Sequence, residues 1–198
     1  MASTRTRPTA LGIWLIIAAV VGLTAAFELT IEKFDAYENP GQGAACDFSV
    51  LVQCTANLNS PQGSAFGFPN PLIGLVGWMA PLVVGVAVLA GARFPKWFWA
   101  AFTAGMTFAF GFVCWLIYQS IFNLGTLCPW CMATWSVTIP SFFAVALHAI
   151  RIGAIPLGRR AAKIAEALYG WVPVITVASF AVIAIIAQLR LDVLREFL

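Results

Sequence analysis

The chain is predicted to be an all-α integral membrane protein with five membrane-crossing helices and one sizeable extramembrane loop. Three observations carry this. Of its 198 residues, 61% are apolar and 10% charged, whereas soluble domains sit near half and a quarter. Mean hydropathy is +0.90. The apolar residues also gather in five runs, each close to the roughly 20 residues that a ~30 Å hydrocarbon slab requires. The runs are continuous rather than alternating. Helices are therefore expected, since only helices and closed barrels satisfy their backbone in lipid.

The first run covers about 10–27 and follows Arg5 and Arg7. Its end, Leu23-Thr24-Ala25-Ala26, loosely suggests a cleavable leader. The run is longer than a usual leader core, so it is read as a retained helix. The loop 28–69 follows, rich in Gly, Pro, Asn and Ser, and contains GQGAACDFSVLVQC. Within it, 47–58 is expected as a short helix whose Phe48, Leu51, Val52 and Leu58 form one apolar flank on the bilayer surface. The remaining runs are 71–91, 97–122, 128–150 and about 168–189. Their links, 92–96, 123–127 and 153–167, are short, which predicts antiparallel neighbours as in a four-helix bundle. Pro81 and Pro140 fall inside runs and are expected to kink them. No repeat interrupts the chain, so 1–198 reads as a single membrane domain.

Orientation follows from basic residues. With the N-terminus in the cytoplasm, that side carries Arg5, Arg7, Arg93, Lys96, Arg151, Arg159, Arg160 and Lys163, with Glu166 as its one acid. The outer side carries Lys33, Arg190 and Arg195 against Glu28, Glu32, Asp35, Glu38, Asp47, Asp192 and Glu196. The net charge of +3 is thus a topology signal. No basic block interleaved with aromatics points to nucleic acid.

This orientation places two cysteine pairs outside, where disulfides persist. One is Cys46 and Cys54 in the loop. The other opens the fourth run, LCPWCMATWSV, as Cys128 and Cys131. If Cys128 caps that helix, Pro129 takes the first helical position, where its missing N–H costs nothing. Cys131 then lies in the first turn, where the positive end of the helix favours thiolates. The pair reads as reactive; the bland alternatives are a static disulfide, which would close almost no loop, or half a zinc site. The loop pair alone could be only a staple. Beside the first pair, and with Gly41, Gly43 and Gly63 to loosen the loop, it becomes an exchange partner. Either pair could attack the other. Together they make a two-electron relay.

A relay needs an acceptor. The single histidine, His148, lies about 30 Å along the helix from Cys128, at the cytoplasmic end, which disfavours haem and histidine-based metal sites. The outer loop lacks histidine and the usual zinc spacing, so no metal is expected. No Gly-x-Gly-x-x-Gly argues for a nicotinamide or flavin. A lipid-soluble quinone remains, needing an apolar slot beside Cys131 and one or two hydrogen-bond donors. Candidates for that slot are Phe66, Phe68, Asn70, Trp78, Trp115, Tyr118, Phe122, Trp130 and Trp135. The aromatics among them read equally as an interfacial belt. Cys114 is expected to pack as a buried small hydrophobe.

These residues resemble the vitamin K epoxide reductase family in its bacterial form. The resemblance covers about 10–150. It rests on Cys46-Asp47, Cys54 eight residues on, Ser60, Phe66-Gly67, Pro69-Asn70 and Cys128-x-x-Cys131. It implies a four-helix bundle around a quinone, capped by the loop, with a fifth helix added. In that family the cysteine matching Cys131 faces the quinone, the one matching Cys128 exchanges with Cys54, and the one matching Cys46 receives electrons from a thioredoxin-fold partner. Asn70 matches a residue that hydrogen-bonds a quinone carbonyl, and Ser60 a serine of the cap. Trp135 stands where the animal enzyme has tyrosine. Some bacterial members carry a fused thioredoxin-like domain after the fifth helix; here only about nine residues follow, so a DsbA-like partner is expected in trans. The implied role is disulfide formation in secreted proteins at the bacterial inner membrane, with menaquinone favoured over ubiquinone. The rivals are a DsbB-type oxidase, whose C-x-x-C lies in its first outer loop, and a non-catalytic membrane protein with structural disulfides.

Overall fold

A computed structural model describes residues 8–196; Arg5 and Arg7, used above for orientation, lie outside them. The described residues form seven α-helices and no strand. Five helices are long and apolar enough to cross a membrane. They are α1 (Thr9–Glu38), α3 (Asn70–Leu89), α4 (Lys96–Tyr118), α5 (Pro129–Arg151) and α7 (Val172–Leu191). Two shorter helices are α2 (Thr55–Asn59) in the loop and α6 (Gly158–Tyr169) between α5 and α7. A π-helical turn, Gln119–Leu124, continues α4.

Helix α1 is longer than its apolar run. Its 30 residues reach ~45 Å at 1.5 Å per residue, beyond a ~30 Å slab. The sequence reading stopped at 27 because charges begin there. No Gly or Pro stands between Phe27 and Pro40 to stop the helix, so it continues into water. The loop therefore begins at Asn39.

Helices α1 and α3 meet through glycine. A Cβ on Gly22 would lie 2.1 Å from the Trp78 indole, and one on Gly85 2.8 Å from the Gly12 carbonyl. Small residues let backbones approach where no hydrophobic force drives helices together in lipid. Helix α5 is the central post, packed against α1, α4 and α6, with residues 137–141 buried. The Trp14 indole N–H donates to Ser141 Oγ across α1 and α5 at 3.0 Å. Helix α7 lies on the periphery against α5 and the π-helical turn, with Ala187 its buried residue.

Two expectations about neighbours need correction. Helices α3 and α4, joined by a short link, do not pack along their length. Their facing residues include Gly77, Ala80, Ala101, Gly105 and Ala109, too small to fill the gap, so the helices stand either side of a cavity. The link 153–167 is not merely a link, because it holds most of α6. Arg159, Arg160 and Lys163 break its hydropathy, but the helical period survives, and Ala165 is buried. Arg151 lies over the Tyr169 ring at 4.3 Å.

The short helix expected over 47–58 is also corrected. Only Thr55–Asn59 is helical. Phe48 and Val50 point outward while Leu51 and Leu58 are buried, so no common apolar flank forms. The physical reason is the Asp47 carboxylate, which gathers backbone N–H groups and folds 47–54 into turns.

Candidate functional site

Cys128 caps α5 and Pro129 takes its first position, as the motif implied. The Cys128 Sγ accepts from the Cys131 N–H at 3.3 Å. Cys54 stands at the start of α2 and is disulfide-bonded to Cys46, their Cα atoms 5.7 Å apart. The Cys54 Sγ lies 3.5 Å from the Cys128 Sγ. Both residues are 0% exposed, and Cys46 is 5% exposed. Three sulfurs thus form a dry row beneath the cap, and Cys131 follows in the first turn of α5.

Backbone bonding sets this row. The Leu127 N–H donates to the Leu51 carbonyl at 2.8 Å, and the Gln53 N–H to the Leu127 carbonyl at 3.0 Å. Gln53 and Leu127, which carry this parallel bridge's bonds, each stand one residue before an exchange cysteine. A side-chain latch lies beside it. The Asn57 Nδ2 donates to Thr126 Oγ1 at 2.9 Å, and the single proton of the Ser120 hydroxyl is shared between the Thr126 carbonyl at 2.6 Å and Asn57 Oδ1 at 3.1 Å. The π-helical turn delivers Ser120 to this spot. Gly125, at φ +68°, turns the chain back toward Cys128.

Asp47 is the hub of the disulfide loop. Its carboxylate accepts from Cys54 N at 2.7 Å, Thr55 N at 3.1 Å, Thr55 Oγ1 at 2.6 Å and Ala44 N at 3.1 Å. Burial pushes this carboxyl up, but the bonds from Thr55, Cys54 and Ala44 together outweigh it and hold the group below its ordinary value. Cys46, Asp47 and Cys54 stand close enough to suggest a metal cluster. The disulfide engages both sulfurs and the four donors engage the carboxylate, so the cluster is instead a covalent and hydrogen-bonded hub.

A cavity of about 470 Å³ opens beneath the row. Helix α5 contributes Cys131, Thr134, Trp135 and Thr138; α3 contributes Gly77, Trp78 and Pro81; α4 contributes Gly105, Met106 and Phe112. Asn57, Leu58, Ser60 and Gln62 close its cap end. Cys131 is on the wall while Cys128 is not.

Of the expected slot residues, Asn70, Ser60, Trp78 and Trp135 line the cavity. Asn70 latches the cap: its Nδ2 donates to the Gln62 carbonyl at 2.7 Å and its Oδ1 accepts from Ala65 N at 3.0 Å. Ser60 stitches the cap, donating to the Asn57 carbonyl at 2.7 Å and accepting from Gly63 N at 3.1 Å. Gly63 is not a loosening residue, since a Cβ there would meet the Asn57 carbonyl at 2.4 Å.

Phe66 and Tyr118 lie outside this lining. Phe66 is 51% exposed and rests on Phe112 and Phe108, ring centroids 5.5 and 6.4 Å away. The wall residues of α4 recur as Gly105, Ala109, Phe112 and Leu116. Tyr118 falls off that stripe and stacks on Phe122. Phe68, Trp115, Phe122 and Trp130 are likewise outside the lining. Cys114 is exposed rather than buried. His148 is buried against Trp99, ring centroids 4.5 Å apart, near Arg151.

Sequence reasoning did not single out Asn57, Gln62, Gln119 or Ser120. Polar residues flanking an apolar run read as ordinary interface residues, and only the fold brings α2 onto the end of α4. Asp47 had a signal in its place beside a cysteine of a short ring.

Among curated proteins no match is found. The profile of the vitamin K epoxide reductase family matches residues 13–146. That stretch runs from within α1 to near the end of α5 and contains both cysteine pairs, the cap and every wall of the cavity. The chain therefore belongs to the vitamin K epoxide reductase family, a family of membrane thiol oxidoreductases.

Proposed function

We propose that the protein is a membrane thiol:quinone oxidoreductase. It moves two electrons from a thioredoxin-fold partner, DsbA-like and in trans, through Cys46/Cys54 and then Cys128/Cys131. The observation that carries this is the 3.5 Å approach of Cys128 Sγ to a disulfide sulfur, with Cys131 on the cavity wall.

The chemistry balances as successive exchanges. A partner thiolate attacks Cys46 Sγ, the Cys46–Cys54 bond breaks, and Cys54 leaves as thiolate. The partner's second thiolate then attacks the partner's own bonded sulfur, so the partner departs oxidised and Cys46 is freed. Cys54 attacks Cys128 of an oxidised Cys128–Cys131 pair, and Cys131 leaves as thiolate on the cavity side. Cys46 attacks Cys54, which re-forms the loop disulfide and releases Cys128. The arrangement of a loop disulfide with free Cys128 and Cys131 matches this last stage. A quinone in the cavity supplies the two-electron, two-proton acceptor and leaves as quinol.

The residues present fit such a group. Ligand cavities commonly span about 300–1,000 Å³ with apolar walls and a few polar groups, and the cavity here is about 470 Å³. Asn70 uses one of its two amide N–H groups on Gln62, which leaves the other for a carbonyl. Trp135 and Trp78 form apolar wall, Ser60 braces the cap, and Phe66 and Tyr118 stand at the periphery. We place the cysteine end of the bundle outside a bacterial inner membrane and the N-terminus inside, serving disulfide formation in secreted proteins. Menaquinone is the first candidate, ahead of ubiquinone.

The test is purified protein with a thiol donor and a panel of quinones, followed by ultraviolet absorbance. Cys131→Ala should abolish quinone reduction. Cys46→Ala should block the partner yet keep part of the dithiothreitol-driven turnover. Full activity of both variants with the partner would sink the relay. A loop disulfide that stays oxidised whatever the quinone supply would favour a purely structural pair.

A further inference from the structure

Cys46 must be reached by an incoming thiol in the electron path proposed above, yet it is 5% exposed. Cys54, fully buried, offers no alternative point of attack. Two adjacent residues at the tip of α1 hold the two limbs that flank this disulfide, and they hold them differently.

Lys33 holds the trailing limb. It is a lysine only 8% exposed. Its Nζ donates to the Leu58 carbonyl at 2.8 Å and to Asn59 Oδ1 at 3.0 Å, and lies 4.8 Å from the Tyr37 ring centroid. The two acceptors lie at the C-terminal end of α2, and Cys54 stands at its other end. A cation is favourable at a helix C-terminus. Fixing one end of so short a helix fixes the other.

Glu32 holds the leading limb. Both its carboxylate oxygens lie 3.1 Å from the Ala45 N–H, one residue before Cys46. The limb ahead of this contact, 39–43, is exposed and turns at Gly41 with φ +97°. It spans a cleft of about 330 Å³ lined by Glu32, Asp35, Asn39, Gln42, Ala45 and Asn59. The exposed stretch 39–43 thus spans the cleft, while Ala44 packs against the cluster around Leu29 and Cys46 and Glu32 ties Ala45 to α1 by a hydrogen bond. Ala44, between that limb and Cys46, also donates to Asp47 Oδ2 at 3.1 Å and Thr55 Oγ1 at 2.9 Å, bonds that join the limb to the disulfide ring and to α2 rather than to α1.

We infer that the tip of α1 is a two-sided clamp: Lys33 positions Cys54 for exchange with Cys128, while Glu32 keeps Cys46 covered until the leading limb is lifted. Both are positioning residues, and loosening them acts on different steps. Release of Glu32 makes the loop disulfide easier to attack. Release of Lys33 lowers the effective concentration of Cys54 at Cys128. The Lys33 half rests on the proposed electron path; the Glu32 half rests on the burial of Cys46.

The test uses the full chain in two backgrounds. With Cys128→Ser/Cys131→Ser, the rate of loop-disulfide reduction by glutathione is measured by alkylation shift. With Cys46→Ser/Cys131→Ser, formation of the Cys54–Cys128 disulfide is titrated in a glutathione redox buffer. Glu32→Ala should raise the first rate about fivefold, one hydrogen bond's net worth, and leave the second equilibrium unchanged. Glu32→Gln, with one amide oxygen left to accept, should fall between. Lys33→Met should weaken Cys54–Cys128 formation by about tenfold or more, two charge-assisted bonds being lost, with Lys33→Arg restoring part of it. Should Lys33→Met fail to fold, Asn59→Ala removes one acceptor and should show the same effect at smaller size. A first rate that does not rise in Glu32→Ala, or Lys33 and Asn59 variants that leave the second equilibrium unmoved, would overturn the clamp. Failure of the unmodified clamp to form any Cys54–Cys128 disulfide would instead sink the relay, while the Glu32 half still stands or falls on the first rate.

Discussion

Replacing Asp47 by alanine should unlock the disulfide loop, and the cost can be worked out donor by donor. Four donors lose their acceptor. Ala44 N keeps a partner, because Thr55 Oγ1 also accepts from it at 2.9 Å. Thr55 is partly exposed, so water recovers part of its loss. Cys54 is 0% exposed, so its N–H has nowhere to turn. An unsatisfied buried donor costs about 1–3 kcal/mol. With the partial loss at Thr55, the local total is about 2–4 kcal/mol. Asp47→Asn is the sharper control. Its amide oxygen can still serve Cys54 N and Thr55 N, and its NH₂ can donate to Thr55 Oγ1, but it opposes the Ala44 N–H. That leaves a cost of about 1 kcal/mol. Hydrogen exchange at the Cys54 and Thr55 amides reads these numbers directly. Local opening should rise at least about thirtyfold for alanine and about fivefold for asparagine. If asparagine were as damaging as alanine, or alanine left exchange unchanged, the hub reasoning would be wrong.

Three further outcomes follow from particular contacts. Asp47's folded pKa lies below the ordinary 3.8, so its contribution is complete above that value and lost as pH falls through the depressed one. Cap opening, followed by limited proteolysis from about pH 5 downward, should therefore increase only in strong acid, and Asp47→Asn should flatten this dependence. Gly22→Ala drives a methyl into the Trp78 indole and should cost about 1–3 kcal/mol in thermal unfolding. Gly77 lines the cavity, and a Cβ there meets nothing within 4 Å. Gly77→Leu should keep the melting temperature while sharply weakening the proposed quinone turnover, and Gly77→Ala should be near neutral in both.

The membrane helices were legible because lipid imposes one strong rule, that about 20 apolar residues cross it. The cap of α5 was legible because Cys128 and Pro129 sit where caps and first positions want them. What escaped was set by tertiary contact. The C-terminal third of α1 is polar, so hydropathy ended it early. Helix α6 carries its signal in period rather than in mean hydropathy. The α3–α4 gap could not be read, because small residues ordinarily mean close packing in membranes, and residues of the same kind, Gly74 and Gly85, serve that purpose on the α1 side of α3. Asn57, Ser120 and Thr126 are far apart in sequence and unremarkable singly. Only a π-helical turn, a common feature of functional sites, brings Ser120 to the other two.

The proposed relay must pass electrons between two solvents without losing them to stray thiols, and the arrangement of sulfurs suits that demand. Of the three sulfurs in the buried row Cys46 is the least covered, Cys54 and Cys128 meet where neither is exposed, and Cys131 lies on the wall of an apolar cavity. A dry joint excludes competing thiols, but it also demands accuracy, since exchange requires one sulfur to approach another directly. Cys128 has that accuracy from its helix. Cys54 sits on a five-residue helix in a loop and has none of its own. The backbone bridge at Leu127, the latch at Ser120 and the ammonium of Lys33 all act on that one weak partner. Their convergence on Cys54 rather than Cys46 is what a relay needs, with rigidity where two sulfurs must meet and a lighter, releasable hold where a partner must reach in. A mere staple would need neither.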